Sequence, residues 1–420
     1  MKKYTLRKLF NDVHLWLGIA SGLVLFVVCL TGTIYTFKDE VEEFMAPEKY
    51  TVEVPANAQP MAPSILIAKL EQELKGNVVS ISIPEDKSST YSVGVAPAKG
   101  PEGDKRAEGG PKGKGGEKGK QGKGGEKGKG EGSGGRPATY YVNPYTGQVV
   151  GTPESATAAF FSTIMKLHRW LLIEGDAGKI IVGASTIIFT FLVLTGLVLW
   201  FPVKRKNWKQ GLKIKTNAKW KRVNHDLHNT LGFYSSILLL IMALTGLCWS
   251  FEWYRHGLSS VMGSEVFKGR KEKPATIAAA PTTATTEDYI QQANLLLPYA
   301  GDLRVSLPAD DTTAVVIQKS KTGFFALAAS DKVQLNKHNA EPLKVDKFSD
   351  KALNEQVVSL IKPLHLGNVY GTFSKILYFI ACLVATSLPI TGTLIWINKL
   401  RKKKKPNKAV RTAGAATVAS

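Results

Sequence analysis

The stretch that decides the fold is "HLWLGIASGLVLFVVCLTG", His14–Gly32, because most of its pattern returns as "HNTLGFYSSILLLIMALTG", His228–Gly246. In each copy a histidine opens an apolar run, and a Leu-Gly pair follows within about one helical turn. A Thr-Gly pair then comes at the same offset from the histidine in both copies. An apolar run of this length is typical of a helix that crosses a membrane. The repeat therefore indicates a membrane protein that uses the same histidine position twice.

Four windows of the sequence are apolar and almost free of charge, each long enough to cross about 30 Å of hydrocarbon as a helix. The windows are Val13–Phe37, Ile180–Phe201, Leu231–Phe251 and Phe373–Ile397. The first window is too long for the apolar core of a signal peptide, so we expect it to remain as an anchor. The sequence thus predicts a four-helix transmembrane bundle.

Basic residues orient the four predicted spans. They cluster before the first span, between the second and third, and after the fourth in "KLRKKKKPNK" (399–408), and these clusters carry most of the net charge of +21. The positive-inside rule places all three segments, and both termini, in the cytoplasm. The positive charge therefore reports topology and favours contact with anionic lipids, while binding of nucleic acid is not indicated.

The two long segments outside the membrane each have the pattern of a small α+β domain. The first holds an amphipathic helix at 63–74, an alternating hairpin at 77–95 and a strand-turn-strand at 138–150, and the second repeats that order. A Gly/Lys/Glu-rich loop at 99–137 contains little to bury, so we predict that it is disordered. The predicted order is a cytoplasmic N-terminus with the first span (1–38), an outer domain with a histidine-bearing elbow (39–178), the second span (179–202), a basic cytoplasmic loop (203–227), the third span (228–252), the second outer domain with its elbow (253–372), the fourth span (373–398) and a basic cytoplasmic tail (399–420).

Four of the seven histidines occupy matching positions in the two halves, which suggests an internal duplication. His14 matches His228 at the cytoplasmic mouth, and His168 matches His365 at the outer mouth. Internal symmetry of this kind places a shared site between the halves. Because two neutral imidazoles on facing helices hold a haem iron well, each pair is a candidate axial ligand set for one haem, giving two haems in the chain.

Several other residues bear on this interpretation. Gly18, Gly22 and Gly232 lie on the helix faces that follow the inner histidines and would leave room for a porphyrin. His225, one turn before His228, is a rival inner ligand or a hydrogen-bond partner of one. The remaining predictions are that His256 is a weak ligand candidate, that His338 is solvated in a turn, that Cys29, Cys248 and Cys382 fill space, and that the four Thr-Gly pairs serve packing and backbone hydrogen bonding.

Short motifs carry a family resemblance. "VNPYTGQVVG" (142–151) resembles the hallmark turn of PepSY domains, and "LNKHNAEPLK" (335–344) is similar to a worn second copy. With "LHRWLL" (167–172) and "TGLVLWFP" (195–202), nearly the whole chain resembles the PepSY-associated transmembrane proteins. That resemblance implies a bacterial inner-membrane protein of iron uptake, with PepSY-like domains in the periplasm, similar to ferric-siderophore reductases that carry b-type haems.

The function predicted from these observations is transfer of electrons outward to a ferric siderophore or another Fe(III) chelate. The chain has no flavin or nicotinamide motif, so the electrons would come from a cytoplasmic reductase or from quinol, and the sequence leaves both open. A non-catalytic PepSY sensor or binding protein, and a transporter of the iron chelate, remain as alternatives.

Overall fold

The computed structural model describes residues 5–97, 137–202, 205–268 and 272–403. All of the predicted Gly/Lys/Glu-rich loop except residue 137 lies outside these ranges. The helices are α1 (Leu6–Tyr35), α2 (Lys38–Met45), α3 (Pro47–Tyr50), α4 (Pro63–Leu74), α5 (Ala156–Trp170), α6 (Asp176–Trp200), α7 (Trp220–Asp226), α8 (Gly232–Ser250), α9 (Glu252–Met262), α10 (Thr286–Leu296), α11 (Leu353–Ser359), α12 (Ile361–Leu366) and α13 (Gly371–Lys403), with 3-10 turns at Arg205–Leu212 and Phe348–Asp350.

Four helical segments within the described residues are long and apolar enough to cross a membrane, which confirms the predicted spans. They are α1, α6, the continuous segment Trp220–Ser250 and α13. Most of them extend beyond the apolar windows, since α1 begins at Leu6 and α13 ends at Lys403. In the bundle, α1 packs beside α6 and α13, and α8 packs beside the same two helices.

A π-helical turn, Leu227–Leu231, joins α7 to α8 and contains His228. A π turn inserts one extra residue into a helix and is frequent at functional positions. The turn therefore gives the third span an irregular backbone at the histidine that the repeat singled out.

The strands of both outer segments form one antiparallel sheet of eight strands. Its order is β4-β3-β2-β1-β5-β6-β7-β8, so the first four strands lie on one side and the last four on the other. The strands are β1 (Gly76–Ile83), β2 (Tyr91–Pro97), β3 (Ala138–Val142), β4 (Val149–Gly151), β5 (Asp302–Ser306), β6 (Val315–Ser320), β7 (Ser330–Leu335) and β8 (Pro342–Asp346).

The two outer segments meet where β1 pairs with β5, with Ile81 opposite Val305 at the centre of the sheet. Helices α4 and α10 cover one face, and their apolar side chains share a single core with both halves of the sheet. Glu287 of α10 accepts hydrogen bonds from the backbone and the hydroxyl of Ser64 of α4, at 2.8 and 2.9 Å. The sequence predicted each helix and strand set but not their union in one sheet.

Candidate functional site

The structure brings the four matching histidines together in two pairs. The ring centres of His14 and His228 lie 6.3 Å apart, and those of His168 and His365 lie 6.4 Å apart. Each pair takes one histidine from each half of the chain. His225 is not part of a pair, because its half-exposed ring lies near the carboxylate of Asp226, with 3.6 Å between Nδ1 and Oδ1.

The spacing within each pair suits two ligands on opposite sides of one metal ion. A metal–imidazole bond of about 2 Å and a distance of about 1 Å from nitrogen to ring centre place two such ring centres about 6 Å apart. Rings in direct packing contact reach this distance as well, so the spacing alone does not identify a ligand. The protonation of the rings gives a second criterion.

Hydrogen bonds fix the tautomer of the His168–His365 pair. Nδ1 of His168 lies 2.9 Å from the carbonyl oxygen of Val28, and Nδ1 of His365 lies 3.0 Å from that of Met242. Because a carbonyl oxygen only accepts, both Nδ1 atoms carry the proton. Nε2 of each ring is left with an unprotonated lone pair, the form in which imidazole binds a metal.

The His14–His228 pair is held in an equivalent way by threonine hydroxyls. Nδ1 of His14 lies 2.9 Å from Oγ1 of Thr195, and Nδ1 of His228 lies 2.9 Å from Oγ1 of Thr391. Each hydroxyl donates its own proton to a carbonyl in its helix, at 2.7 Å for Thr195 and 3.0 Å for Thr391. The hydroxyl oxygens therefore accept from Nδ1, and Nε2 again keeps its lone pair.

Each histidine lies against one of the four Thr-Gly pairs. Oγ1 of Thr31 is 3.2 Å from Nδ1 of His168, and Oγ1 of Thr245 is 3.2 Å from Nδ1 of His365. The glycine that follows each threonine leaves space for the ring. A Cβ atom on these glycines would lie 2.9 to 3.4 Å from Cε1 of a histidine: Gly32 with His168, Gly196 with His14, Gly246 with His365 and Gly392 with His228.

These contacts extend the predicted role of the Thr-Gly pairs. The threonines do bond to their own helix backbone, as expected, but each pair also positions one histidine. The signal in the sequence was the recurrence of all four Thr-Gly pairs at fixed offsets from the histidines. The rotation of each helix about its axis, which decides what a Thr-Gly pair faces, could not be read from that spacing.

The two pairs lie at opposite ends of the bundle. His14 is near the start of α1, whereas His168 contacts Thr31 near its end. Seventeen residues of helix correspond to about 25 Å. The chain therefore carries two separate histidine pairs at different depths.

Burial favours the neutral form of both rings in the His168–His365 pair. Removal from water lowers the pKa of both imidazoles, to about 4 for His365. A positive charge on His168 would lower the pKa of His365 further, and the charge of Arg169 lowers that of His168. The hydrogen bonds to Val28 and Met242 act in the opposite direction. A neutral imidazole at ordinary pH is the state required of an axial ligand.

The three glycines predicted to make room for a porphyrin lie between helices. A Cβ atom would lie 3.8 Å from Leu192 at Gly18, 3.9 Å from Pro389 at Gly22 and 3.6 Å from Leu388 at Gly232. These are ordinary van der Waals distances, so the glycines permit close helix packing without being sterically obligatory.

The remaining histidines and the three cysteines belong to neither histidine pair. His256 is exposed on α9. The prediction that His338 is solvated is wrong, because its ring is buried, with Nδ1 3.0 Å from Thr282 Oγ1 and Nε2 2.9 Å from the carbonyl of Asp311. The three cysteines are free thiols, as expected.

The chain matches the PepSY-associated TM region over residues 12–399. Because the match covers nearly the whole sequence, the chain belongs to the family of PepSY-associated transmembrane proteins. No curated protein sequence matches it.

Proposed function

We propose that the chain is a membrane electron-transfer protein that holds two haem b groups and reduces an Fe(III) chelate. The single observation that carries the proposal is the pairing of four neutral-tautomer histidines at 6.3 and 6.4 Å, one pair near each end of the bundle. Two imidazoles on one iron leave no open coordination position, which suits electron transfer better than oxygen chemistry.

In this proposal each residue set has one task. His14 with His228 would hold one haem iron, and His168 with His365 would hold the other. When bound, a haem held in this way exchanges single electrons. The threonine hydroxyls of the Thr-Gly pairs and the carbonyls of Val28 and Met242 accept hydrogen bonds from Nδ1. Nε2 of each histidine would then be free to bind the metal. Gly18, Gly22 and Gly232 would accommodate the edge of the ring system.

The proposed orientation follows the distribution of basic residues. The His14 end would face the cytoplasm with both termini, and the His168 end and the sheet would face the periplasm of a bacterial inner membrane. Anionic lipids would surround the basic inner segments. The two halves, about 1–205 and 219–402, would derive from a duplication, since each contributes one histidine and one Thr-Gly pair to each end.

The proposed substrate is a ferric siderophore or a similar chelate with hard oxygen donors. Such donors prefer Fe(III) to Fe(II), so reduction weakens their hold on the metal. Electrons would come from a cytoplasmic reductase or from quinol, because the chain has no nucleotide-cofactor motif of its own.

Optical spectra of the purified full chain test the proposal. We expect a haem band in the region of about 410 to 430 nm that shifts on reduction with dithionite, with two haems per chain. His168→Ala or His365→Ala should remove about half of that haem, and so should His14→Ala or His228→Ala. His225→Ala and His256→Ala are matched controls that should retain both. A chain that is colourless after expression with ample haem contradicts the proposal.

A further inference from the structure

The ring of His365 lies on a stripe of four residues along α8. Its Nδ1 atom lies 3.0 Å from the carbonyl oxygen of Met242 and 3.2 Å from Oγ1 of Thr245. Gly246 leaves the space that the ring occupies, since a Cβ atom there would lie 2.9 Å from Cε1. The fourth residue is Trp249, whose ring centre lies 5.1 Å from that of His365, with the two planes inclined by 40°. Residues spaced in this way share one face of a helix, so the stripe is continuous.

A matching stripe of α1 holds the other histidine of the outer pair. Nδ1 of His168 lies 2.9 Å from the carbonyl oxygen of Val28 and 3.2 Å from Oγ1 of Thr31. A Cβ atom on Gly32 would lie 3.2 Å from Cε1 of His168. A carbonyl, a threonine hydroxyl and a glycine therefore position both rings of the pair in the same order along their helices.

The two stripes differ at their fourth position. The residue of α1 that corresponds to Trp249 is Tyr35, and its ring centre lies 6.1 Å from that of Phe161. In the parts of the chain that the structure describes, the ring of His168 meets no aromatic ring except that of His365. The contact of an aromatic ring from the span with the histidine therefore occurs in the second half only.

Packing holds Trp249 itself in place. Its ring centre lies 4.8 Å from that of Phe267, and the partly buried indole packs against a buried cluster. That cluster joins the end of α8 to α11 and α12 through Cys248, Val358 and Ile361. Because side chains in a dense core keep their rotamers, the indole cannot move away from His365 without opening this cluster.

The contact supplies a restraint that the hydrogen bonds leave out. The torsion that turns an imidazole plane is broad, so a ring bonded through Nδ1 can still tilt about that bond. An aromatic ring packed against the imidazole limits the tilt. The ring planes of His168 and His365 are inclined by 55°, whereas those of His14 and His228 are inclined by 89°.

We propose that Trp249 is a positioning residue that fixes the plane of the His365 ring and so sets the angle between the two imidazoles of the outer pair. The inference rests on the proposed function, in which this pair holds one haem iron. Groups around the axial ligands tune a haem iron. Trp249 would therefore give the outer site electronic properties that the inner site does not share.

NMR of the full chain, prepared without haem in nanodiscs and with 13C-labelled histidine rings, tests the contact. His365→Ala identifies the signal of that ring. We expect nuclear Overhauser contacts between the ring protons of His365 and the indole of Trp249, together with an upfield shift from the indole ring current. Trp249→Leu should remove the upfield shift, and Trp249→Phe should retain part of it. Tyr35→Leu is the matched control and should leave the signal of His365 unchanged.

The EPR spectrum of the oxidised, haem-loaded chain tests the consequence, because the g values of a low-spin ferric haem depend on the angle between its axial imidazole planes. Trp249→Leu should shift the signal and the midpoint potential of one haem of the two. Trp249→Phe should restore both toward the unmodified values, and Tyr35→Leu should keep them.

The proposal is overturned if the unmodified chain shows no contact between the rings of Trp249 and His365, a criterion that requires no variant to fold. It is also overturned if Trp249→Leu leaves the NMR signal of His365, or both EPR signals, unchanged. A chain that shows the expected NMR contact and response but binds no haem counts against the proposed function and not against the positioning of the ring by Trp249.

Discussion

The hydroxyl oxygen of Thr195 lies 2.9 Å from Nδ1 of His14, although 181 residues separate the two in the chain. The same relation holds between Thr391 and His228 in the other half. Hydrogen-bond partners of this kind orient a metal-binding histidine and raise the basicity of its other nitrogen. The threonines are therefore the first residues to test beyond the histidines.

Thr195→Val should weaken the proposed His14–His228 site by about tenfold to a hundredfold while leaving the other site intact. Valine keeps the shape of threonine but cannot accept a hydrogen bond from the Nδ1–H of His14. The measurement is haem content per chain together with the two midpoint potentials, of which one should change. Thr195→Ser is the control and should retain the unmodified values. Equal loss from both sites would contradict a local role for the hydroxyl.

Gly246→Ala should disturb the His168–His365 pair. A Cβ atom at this position would lie 2.9 Å from Cε1 of His365, closer than carbon atoms normally approach, so the ring has to move. We expect loss of most of one haem of the two, measured as the reduced-minus-oxidised absorbance. Gly257→Ala is a matched control, because a Cβ at Gly257 meets no atom within 4 Å. Full haem content in Gly246→Ala would show that the glycine is not needed for the ring.

Ile81→Ala should destabilise both halves of the sheet. Ile81 is fully buried beside Val305 in the core that the two outer segments share, and a buried Ile→Ala change costs about 2 to 5 kcal/mol. Hydrogen exchange of the full chain should therefore speed up in β5 and β6 as well as in β1. The control is Ile65→Ala on α4, where the side chain is 59% exposed and the expected effect is small. Faster exchange confined to β1 and β2 would mean that the halves unfold independently.

The connection between β6 and β7 should touch the lipid surface. Phe324 and Phe325 are 50% and 65% exposed, and their rings lie 6.2 and 5.0 Å from that of Phe373 in the first turn of α13. Phe324 also accepts a backbone hydrogen bond from Phe373 at 3.1 Å. Aromatic side chains at the start of a span favour the membrane interface.

One tryptophan added to the eight native ones can report this contact. Phe325→Trp in nanodiscs should add fluorescence that brominated lipids quench. Leu295→Trp on α10 is the comparison, because that side chain is 68% exposed on the helix-covered side of the sheet. Its added fluorescence should not be quenched, and equal behaviour of the two variants would contradict an interfacial position for the loop.

Local patterns predicted much of this structure. The amphipathic period placed α4 at 63–74, where the structure has it, and the apolar windows located all four spans. The windows missed the ends of α1 and α13 because lysine and arginine are good helix formers and continue a helix past the apolar region. The duplication pattern selected His14, His168, His228 and His365, and the structure brings these four together in pairs.

Relations that depend on distant parts of the chain were not predictable. The pairing of β1 with β5 joins strands that are more than two hundred residues apart, and no local pattern specifies which strand of the other half pairs with β1. The burial of His338 likewise depends on Thr282 and Asp311, which reach it from other segments. The repeat identified the four candidate histidines, whereas the contacts that position them depend on how the helices pack.

The ladder between β1 and β5 also limits how the molecule can move. A carrier that works by alternating access has to open a gap between its two halves, first on one side of the membrane and then on the other. Here four residue pairs of an antiparallel ladder join the halves beyond the His168 end of the bundle. Rocking the halves apart on that side would break the ladder, so the architecture disfavours a mechanism in which the two halves separate there.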